Sequence, residues 1–294
     1  MTPCSSGRLL GPTDFSITAS SLGHPPFPIL VEAASSAGFA GLSIWPEANY
    51  VRARADGLSD HDLAAILADH GMIVQDVDAL VAWVGPDDPG PPYFIESSRE
   101  SLFAAASAMG VRFTNVLLVG PTGCSIDDTA EVFAAICDLA AEHDLIATYE
   151  FSYRGVVRRL TDAMEVIRLA DRPNGRLLID TWHYHFGGSG LDDLGAVPGE
   201  MVAAVQLNDV PAPPPVDLVD ASLHRRLPPG AGVVGVTDFV RTLRSIGSPA
   251  PLTVEVFNDE LLARHGPHAF AALLAASLRT IVAEAGTASE PADQ

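Results

Sequence analysis

Short runs of apolar residues alternate along this chain with longer stretches whose apolar positions recur every three to four residues. The short runs predict strands at 14–18, 41–44, 72–77, 112–118, 145–151, 176–180, 203–208 and 252–256. Several are apolar throughout, as parallel strands are when both faces are covered. The longer stretches predict helices. HDLAAILADHG follows Ser59-Asp60, an N-terminal capping signal, and stops at Gly71, a residue suited to a left-handed C-terminal cap. Further helices are predicted at 98–109, 127–142, 161–170, 237–246 and 267–285. The pattern is weak after the sixth strand, where LDDLGAVPGE is short and carries Pro198 and Gly199.

Eight strand–helix repeats in 294 residues predict an α/β chain, a single-domain (β/α)8 TIM barrel spanning 1–285 with a disordered tail at 286–294. A doubly wound open sheet fits less well, because no glycine-rich nucleotide fingerprint follows the first strand. GPTGCS at 120–125 lacks the Lys-Ser/Thr ending of a phosphate loop and reads as a turn. Between Asp209 and Thr237 lies VPAPPPVDLVDASLHRRLPPGAGVVGV, far longer than an ordinary strand-to-helix connection. A connection of that length on a barrel's active face suits a lid or a substrate wall.

Composition narrows the function. With 48% hydrophobic and 18% charged residues, the chain reads as a soluble globular protein. The opening MTPCSSGRLLGPTDFS has no apolar run of signal-peptide length, and no membrane span is expected. Three sparse cysteines, Cys4, Cys124 and Cys137, have no metal-site spacing and suit a reducing, cytoplasmic setting, with Cys124 and Cys137 as buried spectator thiols. A formal charge of −20 would repel a phosphate backbone, which argues against a nucleic-acid partner and for a small-molecule substrate. All 17 basic side chains are Arg, so Schiff-base chemistry on a lysine is excluded.

Chemistry in such a barrel sits at the C-terminal ends of the strands. There the fifth strand ends in Glu150, the sixth in Asp180, the seventh carries Gln206 with Asn208 and Asp209 beyond it, and the eighth carries Glu255. Three carboxylates converging on one rim repel unless they take up protons or bind a cation. With an amide oxygen they form a hard-oxygen set suited to Mg²⁺ or Mn²⁺. The competing reading leaves Arg154, Arg226 and solvent to balance each carboxylate separately. His183, three residues past Asp180, could reach a bound substrate or shuttle a proton. His185 is a weaker candidate, and Gly187 and Gly188 suit a turn or a close backbone approach. Phe15, Trp45, Phe151, Trp182 and Phe257 near strand ends could wall a pocket for a ring-bearing substrate, or simply pack in the core.

The segments TYEF, LLIDTWHYH, VQLND, RRLPPGAG and TVEVFND resemble those of the xylose isomerase-like TIM barrels. That group includes sugar isomerases and epimerases, inosose and dehydroshikimate dehydratases, and apurinic-site endonucleases. The resemblance implies a divalent metal held by Glu150, Asp180, Gln206 and Glu255. It also implies a substrate-facing His183, with His185, Trp182, Asp209 and Arg226 as further substrate contacts. Glu150, Glu255 and His183 would carry the acid–base work. Most epimerases of the group have His where this chain has Gln206, whereas dehydratases acting on cyclic keto acids are among the branches with Gln. The expected activity is α-proton abstraction from a polyhydroxylated keto substrate, giving isomerisation or epimerisation. Dehydration of a cyclic hydroxy-ketone and a catalytically silent ligand-binding barrel are the alternatives. A dimer or tetramer would be usual for such a chain.

Overall fold

Eight parallel strands pair in sequence order and close on themselves, β8 returning to β1 with Phe15 opposite Leu252. They are β1 Phe15–Thr18, β2 Gly41–Ile44, β3 Ile73–Trp83, β4 Phe113–Val119, β5 Ile146–Glu150, β6 Gly175–Asp180, β7 Val202–Leu207 and β8 Leu252–Val254. The structure is a computed structural model that describes residues 8–85, 98–121 and 123–287. The chain is thus a single-domain TIM barrel, as the repeat pattern predicts. Residues 288–294 of the expected tail, and Cys4, lie outside the described residues.

Helices form where the sequence signals them. Ser59 and Ser125 each accept the backbone N–H three residues on, at Asp62 and Asp128, and each Asp accepts in return from the serine's own N–H. These reciprocal caps start the helices Asp60–Asp69 and Ile126–Ala141 within a residue or two of expectation. The helix Phe27–Ala37 lies outside the predicted set; HPPFP obscures its first turn in the sequence, and it buries Phe27, Leu30, Val31 and Ala34. The helices sheathe strands whose outward residues include Leu42, Val77, Val116 and Leu177, all fully buried. Each such side chain contributes about 1.5–3 kcal/mol by leaving water. Cys137 is a buried free thiol as expected, whereas Cys124 is only half-buried, on the turn after β4.

Strand β3 departs furthest from expectation. Its apolar run ends at Val77, yet the strand continues to Trp83. Asp76 and Asp78 interrupt the pattern, but alternation turns both to the barrel interior, where Ser43 donates to Asp76 at 2.5 Å and Asn115 donates to Asp78 at 2.7 Å. The register with β4 shifts between Val77 and Leu80.

The long 209–236 connection folds back over the mouth and contains the helix Leu218–His224. Asp209 and Leu227 form an antiparallel bridge. The Asp209 carboxylate accepts from the backbone of Val210, Gly230 and Val234, at 2.9–3.0 Å. Gly232 sits in this cradle, where a β-carbon would collide with the Val210 carbonyl oxygen. By length and composition the last helix, Asp259–Thr287, could cross a membrane, contrary to the expectation of no such segment. Its packing is that of a core helix: it breaks at Gly266 and buries Phe270, Leu274, Leu278 and Ile281.

Candidate metal centre and active site

The strand-end side chains meet at the C-terminal mouth of the barrel. Asp180 is fully buried, and Gln206, Glu255 and Glu150 are nearly so, at 2%, 4% and 8% exposure. Asp180 ends β6 for a local reason: its Oδ1 caps the helix Thr181–Phe186, accepting from the N–H of Trp182 at 2.6 Å and of His183 at 3.3 Å. Asn208 donates to the same oxygen at 3.0 Å. The other oxygen takes Nη1 of Arg226 at 2.6 Å, and that nitrogen also reaches Glu255 Oε2 at 3.0 Å.

Arg226 is 3% exposed and comes from the lid. Its Nε donates to the Ser222 carbonyl at 2.8 Å, and the guanidinium lies 4.6 Å from the centre of the Phe257 ring. One cation therefore serves two buried carboxylates, and the shorter contact decides the outcome. Burial would raise the Asp180 carboxyl, but Arg226 and then His183 hold it well below the usual carboxylate range. Burial wins at Glu255, which stands well above its ordinary value despite Arg226. Glu150, without a cation of its own, is pushed up to about 8 by burial and by the charges of Asp78 and Asp180.

Two residues that sequence reasoning missed complete the floor. Asp78 on β3 faces the same cavity, and Asn115 on β4 donates to both Asp78 Oδ1 at 2.7 Å and Glu150 Oε2 at 2.6 Å. The Asp-x-Asp alternation inside an otherwise apolar strand is the signal that could have found Asp78. Gln206 Nε2 points at Asp78 Oδ2, 3.4 Å away. His183 Nε2 lies 3.4 Å from Glu150 Oε1, and its Nδ1 is 3.5 Å from the Ser152 hydroxyl. Burial pulls His183 down to about 4, which leaves the ring neutral at pH 7.

This donor set suits a divalent cation. Ligand atoms of Glu150, Asp180 and His183 lie within 4.8 Å of one another. The amide oxygen of Gln206 is buried with no hydrogen-bond partner, an arrangement that costs about 1–3 kcal/mol unless something electropositive meets it. A cation beside Glu150 would also relieve the surplus of negative charge that raises its carboxyl. Glu255 stands outside this tight grouping of acidic and imidazole groups, which sets a nitrogen donor, His183, at the edge of the oxygen set expected from the strand ends.

Above the floor opens a cavity of about 320 Å³. Glu150, Asp78, His183, Arg226 and Glu255 face it from below, and Trp45, Ala79, Trp83, Leu117 and Phe257 form much of its apolar wall. Three expected substrate contacts lie elsewhere. Trp182 is fully buried against Val210 and Ala221, beneath Arg226. His185 packs edge-on against Phe186, away from the side of the helix that presents His183. Asp209 spends its carboxylate on the backbone of the lid. Phe151 is likewise packed in the core. Gly187 fills its anticipated role, since a β-carbon there would collide with the Arg158 carbonyl oxygen.

Comparison with known proteins agrees with this architecture. The family described as Xylose isomerase-like TIM barrel matches residues 31–279. An inosose isomerase of Bacillus licheniformis is 26% identical over 191 residues, covering 63% of this chain and 67% of that protein. A 3-dehydroshikimate dehydratase of Pseudomonas aeruginosa is 29% identical over 131 residues, 44% of this chain but only 20% of the longer enzyme. Among solved structures, the IOLI protein with a bound zinc atom superposes with a TM-score of 0.79 at 16% identity, over 94% of this chain and all of that one. The chain belongs to the xylose isomerase-like TIM barrel family.

Proposed function

We propose that this family member is a divalent-metal-dependent enzyme that removes the proton next to the carbonyl of a cyclic polyhydroxylated ketone and returns it elsewhere, as an isomerase. The observation that carries the reading is the convergence of Glu150, Asp180, Glu255 and the unpartnered Gln206 amide oxygen on the floor of one cavity. Glu150, Asp180, Gln206 and Glu255 would hold the ion, with His183 beside it and facing the substrate, and Mn²⁺ or Mg²⁺ suits their oxygens. The bound ion would supply electrostatic stabilisation of negative charge developing on the carbonyl oxygen. The similarity to inosose isomerases supports the substrate class.

The chain's own groups handle the protons. The neutral His183 has a free nitrogen lone pair, and Glu150 or Glu255 becomes a base on ionisation. When the α-C–H bond breaks, its electron pair forms the enol double bond and the proton passes to that base. The carbonyl electron pair settles on its oxygen, which gains the proton that the α-hydroxyl gives up, and return of the first proton to the former carbonyl carbon gives the isomer. Arg226 holds Asp180 and Glu255 in place, and Asn115 fixes the Glu150 carboxyl.

Gln206 suits a second outcome at the same site, loss of a β-hydroxyl as water, since the resemblance implies Gln at this position in some branches, dehydratases of cyclic keto acids among them. The sequence match to 3-dehydroshikimate dehydratases supports it. In that step the base takes the α-proton, the carbon–oxygen bond to the β-hydroxyl breaks, and a protonated carboxyl delivers the proton that leaves with the oxygen. Incubating the Mn²⁺-loaded protein with inosose and with 3-dehydroshikimate in D₂O separates the outcomes by NMR. Deuterium at the α-carbon without loss of water supports the isomerase, and an unsaturated or aromatic product supports the dehydratase. Neither deuterium uptake nor a new product from either ketone contradicts both.

A further inference from the structure

Two buried side chains divide the four proposed ligands between them. Arg226, from the lid, holds Asp180 and Glu255. Asp78, on β3, serves Gln206 and Glu150. Its Oδ2 accepts from Gln206 Nε2 at 3.4 Å, and its Oδ1 accepts from Asn115 Nδ2 at 2.7 Å. The same Asn115 nitrogen donates to Glu150 Oε2 at 2.6 Å. A chain of hydrogen bonds therefore runs from β7 through β3 and β4 to β5. Asp78 itself is poorly placed to ligate, because both of its oxygens are taken by N–H donors. Burial raises its carboxyl, and the bonds from Asn115, Gln206 and Trp45 oppose that rise.

What the chain does follows from the shape of an amide. A glutamine side chain has a donating end and an accepting end of nearly the same size. Gln206 is buried, so the end that meets Asp78 decides which end is left over. With Nε2 on Asp78, the leftover atom is Oε1, which has no hydrogen-bond partner. Turned over, Gln206 would set its oxygen against a carboxyl oxygen and offer a cation an N–H group, which has no lone pair to give. Asn115 acts in the same way on Glu150. Its bond to Oε2 leaves Oε1 as the oxygen near His183, 3.4 Å from Nε2.

Resting on the proposed metal centre, we infer that Asp78 is its positioning residue: it fixes the Gln206 amide with the oxygen toward the ion, and through Asn115 it fixes the Glu150 carboxyl, while ligating nothing itself. An amide at position 78 would accept at one end only. Asn115 is tied to Glu150 as well and makes the shorter bond, so in Asp78→Asn it is Gln206 that turns over.

The test titrates Mn²⁺ into the metal-free full chain and reads free Mn²⁺ by its EPR signal. Asp78→Asn should weaken binding at least about ten-fold, as loss of a group that orients a ligand does. Gln206→Glu supplies the control, because a carboxylate offers oxygen from either end and needs no orienting partner. In that background Asp78→Asn should cost less than about two-fold, or should tighten binding by removing a carboxyl beside the new one. Asp78→Ser carries the same two arms if Asp78→Asn fails to fold. Equal weakening in both backgrounds would mean that Asp78 acts through its charge alone, and unchanged affinity in Asp78→Asn would mean that it does nothing for the ion; either overturns the assignment. No Mn²⁺ binding by the unaltered chain would overturn the centre itself, and the assignment with it.

Discussion

On β5 to β8 every strand delivers an oxygen-bearing side chain to the rim, Glu150, Asp180, Gln206 and Glu255 in turn. On β1 to β4 the cavity meets Trp45, Ala79, Trp83 and Leu117, with Asp78 as the carboxyl group there among the described residues. The halves differ because cations do. Arg226 descends from the lid between β6 and β8, so charge can be buried on that side with a partner. On the other side the donors to Asp76 and Asp78 among the described residues are neutral, Ser43 for the first and Asn115, Gln206 and Trp45 for the second. One half is built to hold ions and the other to press a flat surface against whatever those ions hold.

Removing Arg226 should break the contrast most severely. Arg226→Met leaves Asp180 and Glu255 buried without a cation, and losing one partner of such a pair costs about 3–5 kcal/mol. Urea denaturation of metal-free protein should show that loss. A loss under about 1 kcal/mol would mean that these carboxyls do not depend on the lid arginine.

A smaller effect probes the opposite side. Burial pushes Asp76 up to about 7, only partly countered by its bond from Ser43. Between the ordinary carboxylate value near 4 and pH 7, the folded protein holds a proton that the unfolded chain has released. Stability therefore falls as pH rises through that window and levels off above it. Asp76→Asn should remove this fall and gain roughly 1–3 kcal/mol at pH 8, since each tenfold change in proton affinity is worth about 1.4 kcal/mol. An unchanged stability–pH profile in the variant would show that Asp76 titrates normally.

The same division explains what was legible in the sequence. Glu150, Asp180, Gln206 and Glu255 each lie at or near the end of an apolar run, so strand ends and rim chemistry could be read together. Asp78 was hidden because the apolar run of β3 stops at Val77 and the extension to Trp83 depends on partners from β4, and Asn115 because a lone amide within the predicted fourth strand shows nothing of the Asp78 and Glu150 carboxyls it meets. Proximity in sequence misled at Trp182 and His185. Both adjoin His183, but the short helix after Asp180 turns them away from the cavity. Asp209 looked like a substrate contact because nothing local reveals that Gly230 and Val234 would return to meet it.

The smallest effect concerns the apolar wall. Trp45→Ala should raise KM for a turned-over ring substrate about three- to ten-fold through lost stacking area, with metal content unchanged. An equal loss of metal would place Trp45 among the supports of the ion site rather than in the wall.

Metal content of the purified protein, compared with Glu150→Gln, Asp180→Asn and Glu255→Gln, tests the central claim most directly. About one equivalent of a divalent ion per chain, weakened at least ten-fold in each variant, is the result expected of these ligands. A chain that binds no divalent ion after equilibration with Mn²⁺, or variants that bind it as well as the unaltered protein, would contradict the metal centre.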